Sequence, residues 1–161
     1  MDHLWSPWRM EYIGSSKEAD DGGCVFCAIL QDAEGEERIL TRSDLAFVTQ
    51  AKYPYNPGHL LILPVRHAAD VEDLTVDENA EIARLLQRSV HVLRRASDPH
   101  GFNIGVNLGR VAGAGIPEHL HWHVVPRWGG DTNFMPVIGE TRVLPELLAD
   151  SFRRLRPGFD A

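Results

Sequence analysis

Three histidines occupy alternate positions, His119, His121 and His123, and they constrain the local structure more than any other feature of the chain. The residues between and just after them are apolar: Leu120, Trp122, Val124 and Val125. Strict alternation is typical of a strand, whose successive side chains point to opposite faces. A helix would distribute the same imidazoles around its circumference. The pattern therefore predicts a strand with three imidazoles on one face and an apolar surface on the other.

Three imidazoles in a row suit two kinds of chemistry. Neutral ring nitrogens are common metal ligands, and a ring held in one tautomer can act as a base or a nucleophile near neutral pH. The alternative is a histidine-rich strand without chemistry. Residues 109–117, directly before the triad, are rich in glycine, and small residues let backbone N–H groups cradle phosphate oxygens. A phosphate held against a nucleophile would make this a phosphoryl or nucleotidyl transfer site.

The composition is that of one ordinary domain, with 161 residues of which 43% are apolar and 24% charged. We expect a core at 24–127, an aromatic N-terminal arm and flexible stretch at 1–23, and a C-terminal extension at 128–161. The net charge of −7 argues against nucleic acid as a partner, because phosphate neutralisation needs a basic face. The sequence shows neither a signal peptide nor an apolar run of bilayer length. We therefore expect no membrane partner and a cytoplasmic location.

The only two cysteines form a Cys-x-x-Cys motif at Cys24 and Cys27. In a reduced compartment such a motif is a redox pair, half of a zinc site or a coincidence. The redox interpretation is disfavoured because the pattern does not show the βαβ unit of a thioredoxin-like arrangement. Zinc would need two more ligands, for which His67 and His119 are candidates, since two thiolates and two imidazoles complete a tetrahedral set. Spacing alone does not decide between zinc and coincidence.

The remaining pattern predicts short strands and one clear helix. A capping-box pattern at Thr75 and Glu78 begins the helix, whose apolar residues recur at helical spacing up to Ala96. The other expected elements are two strands within 38–48, strands at 60–64, 102–108 and 134–138, and an amphipathic helix at 144–155. Prolines make 53–58 a loop. His59, at its end, is either a polar strand-edge residue or a group that orients another histidine.

Residues 119–125 resemble the signature of the histidine-triad family of nucleotide hydrolases and transferases, His-apolar-His-apolar-His followed by two apolar residues. The similarity covers at least 24–127. It includes the cysteine motif, Pro57-Gly58-His59, Leu63-Pro64-x-x-His67, the helix, Asn107 and Pro126-Arg127. With the segments at 4–9, 55–59 and 126–134, the chain is most similar to the bacterial branch related to diadenosine tetraphosphate phosphorylase and the fragile-histidine-triad hydrolases.

The resemblance implies an α+β fold, with an antiparallel sheet flanked by helices, usually paired as a homodimer through the helix and a sheet edge. It implies a small-molecule nucleotide or a dinucleoside polyphosphate as substrate, water or inorganic phosphate as the second reactant, and no organic cofactor. A nucleoside phosphoramidate hydrolase is the alternative within catalysis. A non-catalytic nucleotide-binding module, or a zinc-stabilised interaction module, is the alternative outside it.

The resemblance also implies roles for individual residues. His121 would attack the α-phosphorus and form a covalent nucleotidyl-histidine, which water or phosphate then resolves. His123 would hydrogen-bond the phosphate oxygens, and His59 would orient its neighbouring histidines. The other implied assignments are Asn107 and the backbone at Gly113 and Gly115 for phosphate, and Cys24, Cys27, His67 and His119 for structural zinc.

Two positions depart from the family pattern. Many members have Gln or Ser shortly before the first histidine, whereas residues 114–117 of this chain offer no side-chain donor there. Backbone amides would then have to suffice, or turnover would be slower. Thr49 stands where an Asn or Asp that binds ribose is common, so we expect Thr49 at the substrate site in its place.

Overall fold

The computed structural model describes residues 23–31, 37–132 and 144–160. Almost all of the expected N-terminal arm and the strand expected at 134–138 therefore lie outside the described residues. Within these ranges, five strands form one antiparallel sheet: β1 (Ile39–Arg42), β2 (Ala46–Gln50), β3 (Leu60–Pro64), β4 (Gly101–Val106) and β5 (Trp122–Arg127). Their order is β1-β2-β3-β5-β4. The strand that follows the first two histidines thus lies inside the sheet, and β4 forms one edge.

The long helix α2 (Val76–Ser97) begins where the capping-box pattern predicts. Thr75 Oγ1 accepts from the Glu78 N–H at 3.2 Å, and the Glu78 carboxylate accepts from the Thr75 N–H at 2.8 Å. These two bonds satisfy backbone donors that a helix N-terminus otherwise leaves without partners. Apolar residues on one face of α2, including Leu85 and Leu93, are buried. The helix is therefore fixed both by its cap and by its contact with the sheet.

The two faces of the sheet bury different clusters. On one face α2 packs against residues such as Ile62 and Val124. On the other face the short helix α1 (Val25–Ile29) contributes Phe26 and Ile29 to a cluster with Leu61. His123 is the register partner of Leu61, and directly paired residues share a face. His123 therefore lies on the α1 face, away from the long helix.

The strand expected to hold all three histidines is shorter than predicted, because β5 begins only at Trp122. The Leu120 N–H donates to the Ala68 carbonyl at 2.7 Å, so this residue bonds to the segment after β3. The predicted alternation is confirmed from Trp122 onward, since Trp122 and Val124 pack in the α2 cluster and His123 faces the other way. His119 and His121 reach the site from the segment before the strand.

The C-terminal extension packs against α2. Helix α3 (Leu148–Leu155) starts later than predicted, because Pro145 disfavours helical backbone at the preceding residue and Leu147 is extended with ψ 150°. Arg154 pairs with Glu146 and also donates to the Ala96 carbonyl at 3.3 Å. That contact satisfies a carbonyl at the C-terminal end of α2. No helix in the described ranges is long and apolar enough to cross a membrane.

Candidate active site

Four potential metal ligands meet beside the sheet: Cys24, Cys27, His67 and His119. Their ligand atoms all lie within 4.8 Å of one another. Cys24 Sγ lies 3.2 Å from His119 Nδ1, and Cys27 Sγ lies 3.5 Å from His67 Nδ1 and 3.6 Å from His119 Nδ1. Ligands bound to one tetrahedral zinc ion lie about 3.3–3.8 Å apart, given zinc–ligand distances of ~2.0–2.3 Å. The cluster therefore has the size of a zinc site.

The surroundings of the cluster also suit a cation. His119 Nε2 donates to the Pro64 carbonyl at 3.0 Å, which leaves Nδ1 unprotonated and facing the sulfur atoms. Burial lowers the pKa of His119, which favours the neutral ring that a metal requires. Burial and the hydrogen bond with the Cys24 thiol raise the pKa of Cys27. Two thiolates at this spacing therefore need a positive charge to hold them.

Local structure explains how the cysteines reach the cluster. Cys24 is the residue before α1, and Cys27 lies within it. Residues three apart on a helix lie on the same side, so both sulfur atoms face the sheet end where β3 stops at Pro64. His67 follows that strand, and His119 approaches from the loop before β5. Three distant parts of the chain thus meet at one point.

His121 has the geometry of a neutral nucleophile. Its Nδ1 lies 2.8 Å from the His119 carbonyl oxygen and donates to it, so the lone pair of the neutral ring is on Nε2. Burial lowers the pKa of His121, which keeps the ring unprotonated near neutral pH. The Phe26 ring lies 5.1 Å from the His121 ring and 5.6 Å from the His119 ring, centroid to centroid. Phe26, which belongs to α1, therefore places an apolar ring of the cysteine-bearing helix against the candidate nucleophile.

His123 and His59 form a relay with an assigned direction. The Tyr55 backbone N–H donates to His59 Nδ1 at 3.1 Å, and His59 Nε2 lies 3.0 Å from His123 Nδ1. Because His59 Nδ1 accepts, the proton of the neutral ring is on Nε2 and is donated to His123. His123 then carries its own proton on Nε2. The Tyr55 ring stacks on both imidazoles, with centroid distances of 4.8 Å and 5.9 Å.

The loop between β4 and β5 carries the residues expected to bind phosphate. Asn107 is half-buried, one residue beyond the end of β4. Gly113 has a φ of 97° directly after a 3-10 turn, a left-handed conformation that favours glycine. Gly115 follows two residues later, before the triad. The loop therefore leads from the edge strand directly to the histidines.

Thr49 lies apart from the histidines. It shares a sheet face with His123, but Leu61 stands between them in the register of β2, β3 and β5. Two strand spacings separate Thr49 from His123 by about 9–10 Å. The Thr49 side chain is fully buried, and its hydroxyl donates to the Arg38 carbonyl at 3.1 Å. The structure thus brings His59, His121 and His123 together and leaves Thr49 two strands away.

The structure adds residues that sequence reasoning did not single out. Phe26 stands inside the Cys-x-x-Cys motif, and Tyr55 precedes His59 by four positions. Asn56 and Asp131 are hydrogen-bonded at 2.8 Å across the same end of the site. The only signal for them in the sequence was their presence in segments that carry the family resemblance.

The HIT domain family model matches residues 32–130 of the chain. The chain belongs to the HIT family. The predicted family is thereby confirmed, and the sheet and helices described above confirm the α+β fold predicted for this HIT protein.

Known relatives fall into several groups. This HIT protein is 42% identical over 161 residues to an AP-4-A phosphorylase from Mycobacterium tuberculosis, covering 96% of this chain and 83% of that one. It is 31% identical over 108 residues to an adenosine 5'-monophosphoramidase from Schizosaccharomyces pombe, covering 67% and 74%. A solved Zn-bound histidine triad family protein from Mycobacterium smegmatis superposes with a TM-score of 0.69 at 30% identity, covering 86% and 94%.

Proposed function

We propose that this HIT protein cleaves dinucleoside polyphosphates such as diadenosine tetraphosphate through a covalent nucleotidyl-histidine on His121, with inorganic phosphate as the second reactant. The observation that carries the substrate assignment is the 42% identity to an AP-4-A phosphorylase, which spans 96% of this chain. The arrangement of His121 and its neighbours supports the mechanism, because it combines an unprotonated Nε2 with nearby hydrogen-bond donors. The substrate and the mechanism thus rest on separate observations.

In the first step, His121 Nε2 forms a bond to the α-phosphorus, and the bond from that phosphorus to the bridging oxygen breaks. ATP leaves with the electron pair of that bond. In the second step, a phosphate oxygen attacks the same phosphorus, the N–P bond breaks and ADP is released. The His119 carbonyl, 2.8 Å from His121 Nδ1, stabilises the positive charge that the ring carries while it is bonded to phosphorus.

The residues around His121 would hold the phosphate. His123 would donate its Nε2 proton to a phosphate oxygen, and His59 would keep His123 in that tautomer. Asn107 and the backbone at Gly113 and Gly115 would stabilise charge on the remaining oxygens. The predicted role of Thr49 in ribose recognition stays a prediction.

Cys24, Cys27, His67 and His119 would hold a structural zinc ion. Four protein ligands close the coordination shell, so the ion would supply fold stability and no exchangeable position for substrate. By fixing His119, it would also fix the carbonyl to which His121 donates. Reduced thiols as ligands agree with the cytoplasm as the place of action.

The homodimer is proposed from the same family resemblance. It would form through α2 and a sheet edge such as β4, one of the two edge strands among the described residues, where Ile104 is 48% exposed. An exposed strand edge offers unpaired backbone groups to a second chain.

A product analysis tests the proposal. The purified protein is incubated with diadenosine tetraphosphate, with and without inorganic phosphate, and the nucleotides are separated. We expect ADP and ATP in the presence of phosphate only. AMP and ATP without phosphate would make the chain a hydrolase. Replacing His121 with Ala should lower the rate by a factor on the order of 10⁴ or more, because the nucleophile is lost.

A second substrate separates the remaining candidates. The 31% identity to a phosphoramidase over 108 residues favours a nucleoside phosphoramidate hydrolase as the second candidate. Turnover of an adenosine phosphoramidate, without turnover of diadenosine tetraphosphate, would move the assignment there. Inactivity on both compounds, with retained nucleotide affinity, would leave a binding module.

A further inference from the structure

The loop between β2 and β3 is held by side chains that the proposed mechanism does not use. Residues 53–58 lie in bends and turns, outside the strand ladder. Asn56 Nδ2 donates to the Pro126 carbonyl at 3.0 Å and to Asp131 Oδ2 at 2.8 Å. Both acceptors follow His123 in the chain. Asn56 therefore ties the loop that leads to His59 onto the segment that leads away from His123.

The Asp131 carboxylate is itself clamped. Arg127 donates to it through Nε at 2.6 Å and Nη2 at 2.9 Å, and the Trp128 backbone N–H donates at 3.1 Å. The Asp131 side chain is 12% exposed. Paired bonds between a guanidinium and a carboxylate are strong and fix orientation. Arg127 Nη1 also donates to Asn103 Oδ1 on β4 at 2.6 Å, so Asp131 offers Asn56 a rigid acceptor.

We propose that Asn56 and Asp131 are positioning residues that fix the tautomers of His59 and His123. Tyr55, whose N–H donates to His59 Nδ1, is the residue next to Asn56. If Asn56 loses Asp131, only the 3.0 Å bond to the Pro126 carbonyl holds its side chain, so the backbone at Tyr55 is held less firmly at hydrogen-bond distance from His59. The network thus sets the direction of the relay without touching either imidazole.

Reversal of the relay has a definite chemical consequence. Without the donor at Nδ1, His59 can carry its proton there and accept at Nε2 from His123. His123 would then place a lone pair, in place of an N–H, on its Nε2. A lone pair repels a phosphate oxygen, whereas an N–H stabilises it. This inference rests on the proposed function for its catalytic meaning, but the tautomers themselves can be measured without substrate.

The test uses histidine labelled with ¹⁵N in the full-length protein at a pH where the rings are neutral. Long-range ¹H–¹⁵N correlation spectra report which ring nitrogen carries the proton. We expect His59 and His123 to be protonated on Nε2 in the wild type. Asn56→Ala should convert both to a mixture of tautomers. Asn103→Ala is the matched control, because it removes a hydrogen bond of the same network that does not reach the loop.

A conservative variant guards against a general loss of structure. Asp131→Ala removes the acceptor for Asn56, while Asp131→Asn keeps one oxygen that Asn56 and Arg127 can share. In Asp131→Ala, we expect His59 and His123 to become mixtures of tautomers. In Asp131→Asn, we expect both rings to stay protonated on Nε2. Melting temperatures of all variants are measured in parallel, so that a change in tautomer is compared at similar stability.

The outcomes are distinct. Wild-type tautomers in folded Asn56→Ala, or an equal change in Asn103→Ala, would overturn the proposal. If diadenosine tetraphosphate is a substrate, Asn56→Ala should also lower kcat by about 10- to 100-fold with little change in KM, because a donor to the reacting phosphate is lost. If the protein proves inactive on that compound, the proposed function fails and the spectra still decide the positioning role.

Discussion

The two outer histidines of the triad, His119 and His123, stand four residues apart and have different surroundings. His119 donates from Nε2 to a backbone carbonyl and turns Nδ1 toward two sulfur atoms. His123 accepts at Nδ1 from another imidazole, which places its proton on Nε2. Both rings have the same tautomer. At the metal end, which is the candidate zinc site around His119, the proposed role uses the lone pair. At the relay end, which is the pair of His59 and His123, the proposed role uses the N–H. The proposed roles of His119 and His123 therefore follow from the atoms that contact each ring, since the residue type is the same.

In the middle histidine, His121, the proton and the lone pair are on the opposite ring nitrogens. His121 donates from Nδ1 to the His119 carbonyl, so its free lone pair is on Nε2. Each end also has a carboxylate that pairs with an arginine close to it in the sequence. Glu78 pairs with Arg66, the residue before His67, and Asp131 pairs with Arg127, four residues after His123. The comparison predicts that variants at the two ends separate metal binding from catalysis.

Breaking the metal end should have the largest effect. Cys24→Ser removes one of the four proposed zinc ligands, so zinc measured in freshly purified protein should fall from about one equivalent to a small fraction. Loss of a structural metal is among the most destabilising changes, and we expect about 4 kcal/mol, or ~12 °C in melting temperature. His91→Ala, at an exposed position on α2, is the control. Zinc bound at wild-type stoichiometry in Cys24→Ser would remove the zinc proposal.

Breaking the relay end should lower catalysis and leave the metal in place. His59→Phe keeps an aromatic ring for the stack with Tyr55 and removes the hydrogen bond to His123. We expect kcat to fall about 100-fold, since a misplaced catalytic group costs about that much. Zinc content should equal that of the wild type. A variant with normal kcat would show that the relay does not orient His123.

Much of the fold was predictable from the sequence because it rests on local patterns. Alternation predicted the strands, and the capping box predicted the start of α2. The pattern did not predict where β5 begins, because Leu120 bonds to Ala68, which is distant in sequence. It also placed the start of α3 too early, since helical spacing outweighed Pro145 in the prediction.

Some residues of the candidate site were also predictable from the sequence, and others were not. The resemblance supplied His59, His121 and His123, which the structure brings together. The candidate metal cluster brings Cys24 close to His119, which is 95 positions away in the sequence. A separation of that length does not indicate which residues meet in the fold. Tyr55 was missed because it acts through its backbone N–H and its ring stack, which no residue-type pattern records.

Gly58 lies just before His59, so substituting it tests the backbone that carries the relay end. Its φ is 78°, and an added Cβ would lie 3.0 Å from Leu93 Cδ2 and 3.6 Å from Pro126 Cγ. Gly58→Ala combines a left-handed backbone with a close contact, for which we expect a loss of about 2 kcal/mol in urea denaturation. Gly101→Ala is the control, because a Cβ there meets nothing within 4 Å. Equal stability of the two variants would contradict this account.

Phe26 contacts His119 of the metal end and the middle histidine, His121, so its substitution tests whether these two can be separated. Its ring lies against His121 and His119. Phe26→Leu keeps an apolar side chain but loses the flat surface beside the nucleophile. We expect kcat to fall about tenfold, because His121 would be positioned less well while its ring remains in the site. Zinc content should not change. Val25→Ala, on an exposed position of the same helix, should leave both quantities at wild-type values, and a loss of zinc in Phe26→Leu would refute the separation.

The smallest effect is expected at the ion pair of Glu78 and Arg66, which precedes His67 in the sequence. The hydrogen bonds from Arg66 lower the pKa of the Glu78 carboxyl to about 2, from its usual 4.5. Because the pKa is lower in the folded state, the stabilisation is fully present above pH 4.5 and is lost as pH falls toward 2. Glu78→Gln keeps the capping interaction with Thr75 and removes the charge. Arg66 is half-exposed, so we expect a loss of only about 1 kcal/mol at pH 7.

The pH dependence distinguishes the charge from the cap. The difference in unfolding free energy between wild type and Glu78→Gln should shrink below pH 4.5 and approach zero near pH 2, measured by urea denaturation at each pH. Glu81→Gln, which breaks the ion pair with Arg84 one turn away, should cost less than about 0.5 kcal/mol. A Glu78→Gln deficit that stayed constant with pH would mean that packing, and not the ion pair, holds Glu78 in place.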